Sequence, residues 1–223
     1  MIVTLAELES LAKRALAGRG APPGLDEDAA FATAWLESRG LPALPALVAQ
    51  LARQPIALRP LEGGDGSLDA GGQSAVLLCG ALVDLAVLQG SGGTLVVRNL
   101  SDPLFLLPLA DRRRRAGWSF ELGWGGRAAA CIDKRNGAGL MVKPGDLAHA
   151  TAVDVRIAVH GDALAMTLPQ IDYEAHRRRA LATGLLVDDL LWHRLGEHAA
   201  SALVPATAES RERGAGASIS DNE

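Results

Sequence analysis

The sequence predicts an α+β protein with an N-terminal helical layer, a central, mostly antiparallel β-sheet with hairpins, C-terminal helices and an extended Gly/Ala/Ser tail. Three observations carry that prediction. Apolar residues recur every three or four positions between Leu5 and Leu51 and again beyond Asp172, which is helical spacing. The stretch between Trp118 and Val159 alternates with period two, which is strand spacing. Helical and strand patterns are segregated along the chain rather than interleaved as βαβ units.

The first helix starts at Thr4-Leu5-Ala6-Glu7. This has capping-box spacing: the Thr4 hydroxyl accepts from the Glu7 amide and the Glu7 carboxylate accepts from the Thr4 amide, worth about 1 kcal/mol. Leu5, Leu8, Leu11, Ala12, Ala15 and Leu16 form its stripe, and Gly18 is expected to stop it. The second helix opens on Asp26, Glu27 and Asp28, which complement the dipole of a helix start, carries Phe31, Ala34 and Trp35 on one face, and closes at Gly40. A third, in "LPALPALVAQLARQ", has Pro42 and Pro45 in its first turn. These three make a helical segment over 1–54, and the glycine- and proline-dense 55–72 reads as a connector.

An α+β body is expected over 73–204. "QSAVLLCGALVDLAVLQ" is ambiguous in period, and its alanines and leucines favour a helix in its second half. Trp118, Phe120, Leu122 and Trp124 alternate with Ser119, Glu121 and Gly123, placing aromatic rings on one sheet face. Asn136-Gly137 is a hairpin turn signal because both positions tolerate positive φ. Val153, Val155, Ile157 and Val159 make a further strand, with "HGD" expected to turn the chain and "ALAMT" to return it. Asp172 then caps a helix that ends at Gly184, and Asp188 opens another whose stripe is Leu190, Leu191, Leu195, Ala199, Ala202 and Leu203, stopped by Pro205.

Composition excludes some partners. The 223 residues are 48% apolar but only 4% aromatic, so the core must be aliphatic, with four tryptophans as large anchors. A net charge of −4 gives no general attraction to nucleic acid or anionic lipid, and neither is expected as a partner. The most apolar run is broken by Asp84 and falls short of the roughly 20 residues needed to span a bilayer. Glu7, Glu9, Lys13 and Arg14 near the start are unlike a signal peptide, so a cytoplasmic protein is expected, with Cys79 and Cys131 as buried reduced thiols.

No stretch carries a specific catalytic or metal-binding signature, and catalytic residues and cofactor stay unassigned. His193 and His198 in "HRLGEH" lie five apart, about 140° around a helix, whereas two ligands on one face need a spacing of three or four. "GGQSAV" around Ser74 has Val76 where a nucleophile elbow needs a second glycine. Cys79, set in a leucine-rich run, should have a raised pKa, the opposite of activation. "GWGG" and "GRGAPPG" lack a preceding strand and following helix, so they read as turns. Arg112 to Arg115 and Arg177 to Arg179 are positive clusters able to meet an anion, but consecutive arginines on a helix diverge by about 100° each and read first as solvated faces. Asp84, alone in an apolar run, must be hydrogen-bonded or paired if that run is buried.

The tail over 205–223 contains "ESRERGAGASISDNE". Fixing its backbone costs about 1 to 2 kcal/mol per residue, while burying Ile219 returns about 2 to 3 kcal/mol. The segment is therefore expected to be ordered only by docking on the body or a partner, with Ser210, Arg211, Gly214, Gly216 and Asp221, together with Asp84, as ligand-binding candidates. The opening "LAELESLAKRALAGRGAPPGLDEDAAFATAWLESRGLP", the run "CGALVD" and the closing "VPATAESRERGAGASISDNE" resemble a bacterial family of unknown function, DUF3726-like. That resemblance implies no reaction. The opening helices are also similar to the helical start of the malate and lactate dehydrogenases that lack a Rossmann fold. Those enzymes are longer and carry Asp-Ser-His there, whereas Ser38 here is followed by Arg39, and on that ground the link is set aside.

These readings converge on a cytoplasmic protein that binds a small anionic ligand, or a copy of itself as a homo-oligomer, through Arg211 and its glycine hinge. The alternatives are an enzyme with a cleft between helical layer and sheet, built around Asp84 and a histidine, and a structural subunit of a larger complex that offers its arginine clusters.

Overall fold

The computed structural model describes residues 1–53, 56, 58–125, 127–135, 137–140, 152–164 and 173–201. The chain begins with strand β1 (Ile2–Val3) and helices α1 (Leu5–Gly18), α2 (Leu25–Glu37) and α3 (Leu44–Ala52). The capping box at α1 is present in full: the Glu7 amide donates to Thr4 Oγ1 at 3.1 Å and the Thr4 amide to Glu7 Oε2 at 2.7 Å. Helix α1 runs through Gly18 rather than stopping there. The left-handed residue that ends it is Gly20, at φ +82°. Gly40 closes α2 as expected, at φ +73°. Pro45 sits in the first turn of α3, where no intrahelical partner for its missing N–H is needed.

The stretch read as a connector holds a hairpin, β2 (Glu62–Gly64) and β3 (Ser67–Asp69), that joins the sheet. The ambiguous run after it is helical throughout, as α4 (Ala75–Leu88), not only in its second half. Strand β4 (Thr94–Leu100) was not anticipated. The signal is "TLVVRNL", whose Leu95 and Val97 are buried and whose flanks are Gly92-Gly93 and Asp102-Pro103. A 3₁₀ turn (Pro103–Phe105), helix α5 (Leu106–Arg114) and strands β5 (Ser119–Trp124), β6 (Arg127–Asp133), β7 (Gly137–Leu140) and β8 (Val153–His160) follow. The chain then forms helix α6 (Tyr173–Thr183), strand β9 (Leu185–Leu186) and helix α7 (Asp189–Ala200).

Seven strands form one sheet in the order β2-β3-β4-β8-β5-β6-β7. Every pair is antiparallel except β3 with β4, which run parallel on either side of the α4 crossover. The β6–β7 hairpin expected at Asn136-Gly137 forms, with Asp133 opposite Gly137. Strand β8 departs from expectation: its partners are β4 and β5, so it is a central strand and not half of a local hairpin. Of the proposed return segment only Ala163 and Leu164 fall within the described residues, and neither is in a strand.

The sheet buries Val97, Phe120, Leu122, Trp124, Val155, Ile157 and Val159 on one face, against α4 and α5. The alternation in β5 and β8 produces this face directly, since side chains two residues apart share it. A single cluster of buried apolar side chains runs from Val3 to Ala199 and ties helical layer, sheet and C-terminal helices together. The second sheet, β1 with β9, pins the chain start to the α6–α7 region, and the Met1 ammonium donates to Val187 O at 3.0 Å and pairs with Asp189. Among the described residues no helix is long and apolar enough to cross a membrane.

Candidate functional site

The site is assembled where the turn between α2 and α3 faces α6 and β9. Helix α2 ends in Trp35, Glu37, Ser38 and Arg39, each locked by a separate contact. The Trp35 indole donates to Asp111 Oδ2 at 3.1 Å, and Asp111 also accepts from Arg114 at 2.9 Å. The Arg39 guanidinium lies 3.7 Å from the Trp35 ring centroid and donates to Trp35 O and Ser38 Oγ. Burial pushes Arg39 down to about 10, with Asp111 pulling the other way. Glu37 Oε1 accepts from the amides of Ala43 and Leu44 at 2.7 and 2.6 Å, so it caps α3, whose own first residue offers no capping side chain. Burial is the larger influence on the Glu37 carboxyl and raises its pKa, against the two amides that lower it.

The opposite wall comes from one stripe of α6. His176, Arg179, Ala180 and Thr183 are spaced i, i+3, i+4 and i+7, which puts all four on the same helix face. They line a cleft of about 520 Å³ together with residues of the α2–α3 turn, β1 and β9. Arg179 Nη2 stands 3.2 Å from His176 Nδ1. Because the guanidinium can only donate, Nδ1 accepts and the ring proton of a neutral His176 sits on Nε2. Gly40 allows the close approach of the turn to α6, since a Cβ there would lie 3.3 Å from His176 Nδ1 on a backbone already at φ +73°. The result is a pocket with an arginine and an imidazole on one side, Glu37, Ser38 and Thr183 as further polar groups, and apolar side chains besides, a makeup that small-molecule sites share.

Of the site residues proposed from the sequence, Asp84 falls within the described residues and is not in the lining of this cleft. Asp84 on α4 is half-exposed and is held by Arg113 through two hydrogen bonds of 2.7 Å, so its charge is already matched. Ser210, Arg211, Gly214, Gly216 and Asp221 lie outside the described residues. Arg112 and Arg113 of α5 are exposed, as the solvated-face reading expects, and the face is also ion-paired: Arg112 with Asp28, Arg113 with Asp84 and Arg114 with Asp111. The two clusters diverge as the 100° step requires, but on α6 the divergence leaves Arg179 in the cleft while Arg177 pairs with Glu174. The spacing His176, Arg179, Ala180, Thr183 was the available signal.

Ser74 caps α4: its Oγ accepts from the Val76 amide at 3.1 Å and donates to Asp102 Oδ2 at 2.6 Å. The Ala75 amide is taken by Ser101 O at 2.8 Å. This strand-to-helix junction after Gly71-Gly72 is where a dinucleotide pyrophosphate would sit in a β-turn-α unit. The occupied amides and the Asp102 carboxylate at its mouth do not fit that group.

Residues 3–65 match the model of a family described as "Protein of unknown function (DUF3726)". That segment spans α1 to α3 and reaches the β2–β3 hairpin, and the match supports the resemblance to an uncharacterised family drawn from the opening helices. No curated protein matches the chain. Solved structures do. A dehydrogenase from Sinorhizobium meliloti is 14% identical, over 89% of this chain and 99% of its own, at a TM-score of 0.60. A malate dehydrogenase from Entamoeba histolytica is 10% identical, over 92% and 99%, at 0.58. A sulfolactate dehydrogenase from Methanocaldococcus jannaschii is 10% identical, over 91% and 97%, at 0.56. The likeness to malate and lactate dehydrogenases, set aside on Glu37-Ser38-Arg39, therefore holds at the level of fold. At such identity a shared fold is all that it shows.

Proposed function

We propose that this protein binds a small organic carboxylate in the cleft between the α2–α3 turn and α6. The carrying observation is the Arg179–His176 pair, two hydrogen-bonding groups on one wall of a cleft otherwise rich in apolar side chains. A guanidinium offers a carboxylate two parallel donors in a fixed planar fork. Arg39 and Arg177, close enough to influence each other electrostatically, add positive potential at the same end of the molecule. The carboxylate common to malate and sulfolactate, whose names two of the structures similar in fold bear, supports a carboxylate as the ligand head.

A titration calorimetry series with lactate, malate and inorganic phosphate tests this. Binding of at least one carboxylate is expected, weakened about tenfold or more in Arg179→Gln. Equal affinity in the variant removes the cleft from consideration.

A second reading, that the bound carboxylate is oxidised or its 2-oxo analogue reduced, is favoured by the dehydrogenase fold. Following nicotinamide absorbance with each carboxylate that binds, in both directions, tests it. A carboxylate that binds without turnover leaves a binding protein.

A further inference from the structure

The walls of the cleft differ sharply in chemistry, and the difference narrows the ligand. Arg179 and His176 supply the polar wall. The exposed apolar part of the lining is Pro42 from the α2–α3 turn, Ile2 from β1 and Leu186 from β9, while Leu41 and Leu185 are buried in the core behind them. Ile2 and Leu186 stand opposite each other in the β1–β9 pair and are 68% and 84% exposed. Two large aliphatic side chains held in water beside the Arg179–His176 pair leave apolar area that a ligand can cover, at about 25 cal/mol per Å². The remaining charged group in the lining is Glu37, an acid. A ligand bearing a second carboxylate would bring it into the same lining as that acid, and like charges repel.

From this asymmetry we infer that the cleft selects an amphipathic monocarboxylate, an anionic head against Arg179 and His176 with an aliphatic body along Ile2, Pro42 and Leu186, and discriminates against dicarboxylates. The inference rests on the carboxylate-binding reading given above. It differs from it in assigning specificity to the apolar wall and to Glu37 rather than to the arginine.

Calorimetry of the full-length protein with acetate, butanoate, hexanoate and succinate tests it. Affinity should rise about fourfold for each added methylene while the chain remains within the cleft. Succinate should bind more weakly than butanoate, which has the same number of carbons. Leu186→Ser, at an exposed position that should not compromise folding, should weaken hexanoate several-fold more than acetate. A flat chain-length series, or succinate binding as well as butanoate, in each case still lost in Arg179→Gln, overturns the inference and leaves carboxylate binding standing. Affinities for all four that are insensitive to Arg179→Gln overturn both.

Discussion

The Asp28 carboxylate of α2 rests directly on the Cα of Gly80 in α4, so that a Cβ at position 80 would overlap Asp28 Oδ2. Arg112 holds the other oxygen of Asp28 at 2.8 Å, which limits how far the carboxylate can retreat. Gly80 is mid-helix, where alanine would ordinarily stabilise by about 1 kcal/mol. Contact and propensity therefore pull in opposite directions, and Gly80→Ala is expected to destabilise by about 1 to 3 kcal/mol through overpacking. Urea denaturation of Gly80→Ala, Asp28→Ala and the double variant reads this out. The penalty at position 80 should vanish, or turn into a gain, once Asp28 is gone.

Gly184 makes a parallel demand at the cleft. Its φ is +81°, and a Cβ would lie 2.7 Å from Ile2 Cγ2 and 2.9 Å from Val3 O. Gly184→Ala should cost on the order of 1 to 3 kcal/mol from backbone strain and crowding. It should also loosen β1 from β9, seen as faster amide exchange at Val3 and Leu185. Unchanged exchange would mean that the two-stranded sheet does not depend on this close approach.

Glu37 predicts a pH dependence of stability. Burial raises its folded pKa above the ordinary 4.5, so the folded state holds this proton more tightly than the unfolded chain. Its contribution is complete below the unfolded value and is lost as pH rises through the raised folded value. Glu37→Gln keeps an acceptor for the amides of Ala43 and Leu44 but removes the titration. Thermal midpoints measured just above pH 4.5 should fall with pH more steeply in the wild type than in the variant.

Both thiols should be inert in the folded protein. Burial pushes Cys79 up to about 12, with Asp28 adding to it, and pushes Cys131 up to about 11, with Glu121 adding to it. Since the thiolate is the reactive form, an aromatic disulfide reagent at mildly alkaline pH should modify neither until denaturant is added, and then both. Rapid labelling of either in the native state would contradict the burial.

The devices legible in the sequence are those that act over a few residues. The Thr4–Glu7 box, the acidic start of α2 and its end at Gly40, the Asp188 cap and the alternation of Phe120, Leu122 and Trp124 each follow from contacts within one or two turns or from period two, and all appear in the fold. The run around Gly80 is ambiguous in period because the exposed face of α4, Ala81, Leu85 and Leu88 beside Asp84, is itself mostly apolar and gives no contrast with the buried face. The Arg113–Asp84 pair, the insertion of β8 between β4 and β5, and the meeting of the Gly40 turn with His176 needed the tertiary structure. Each joins residues at least 29 positions apart, and a chain reveals such a partnership only once packing has chosen which faces touch. The cleft is of that kind: α6 displays its stripe in one dimension, but what the stripe faces is decided in three.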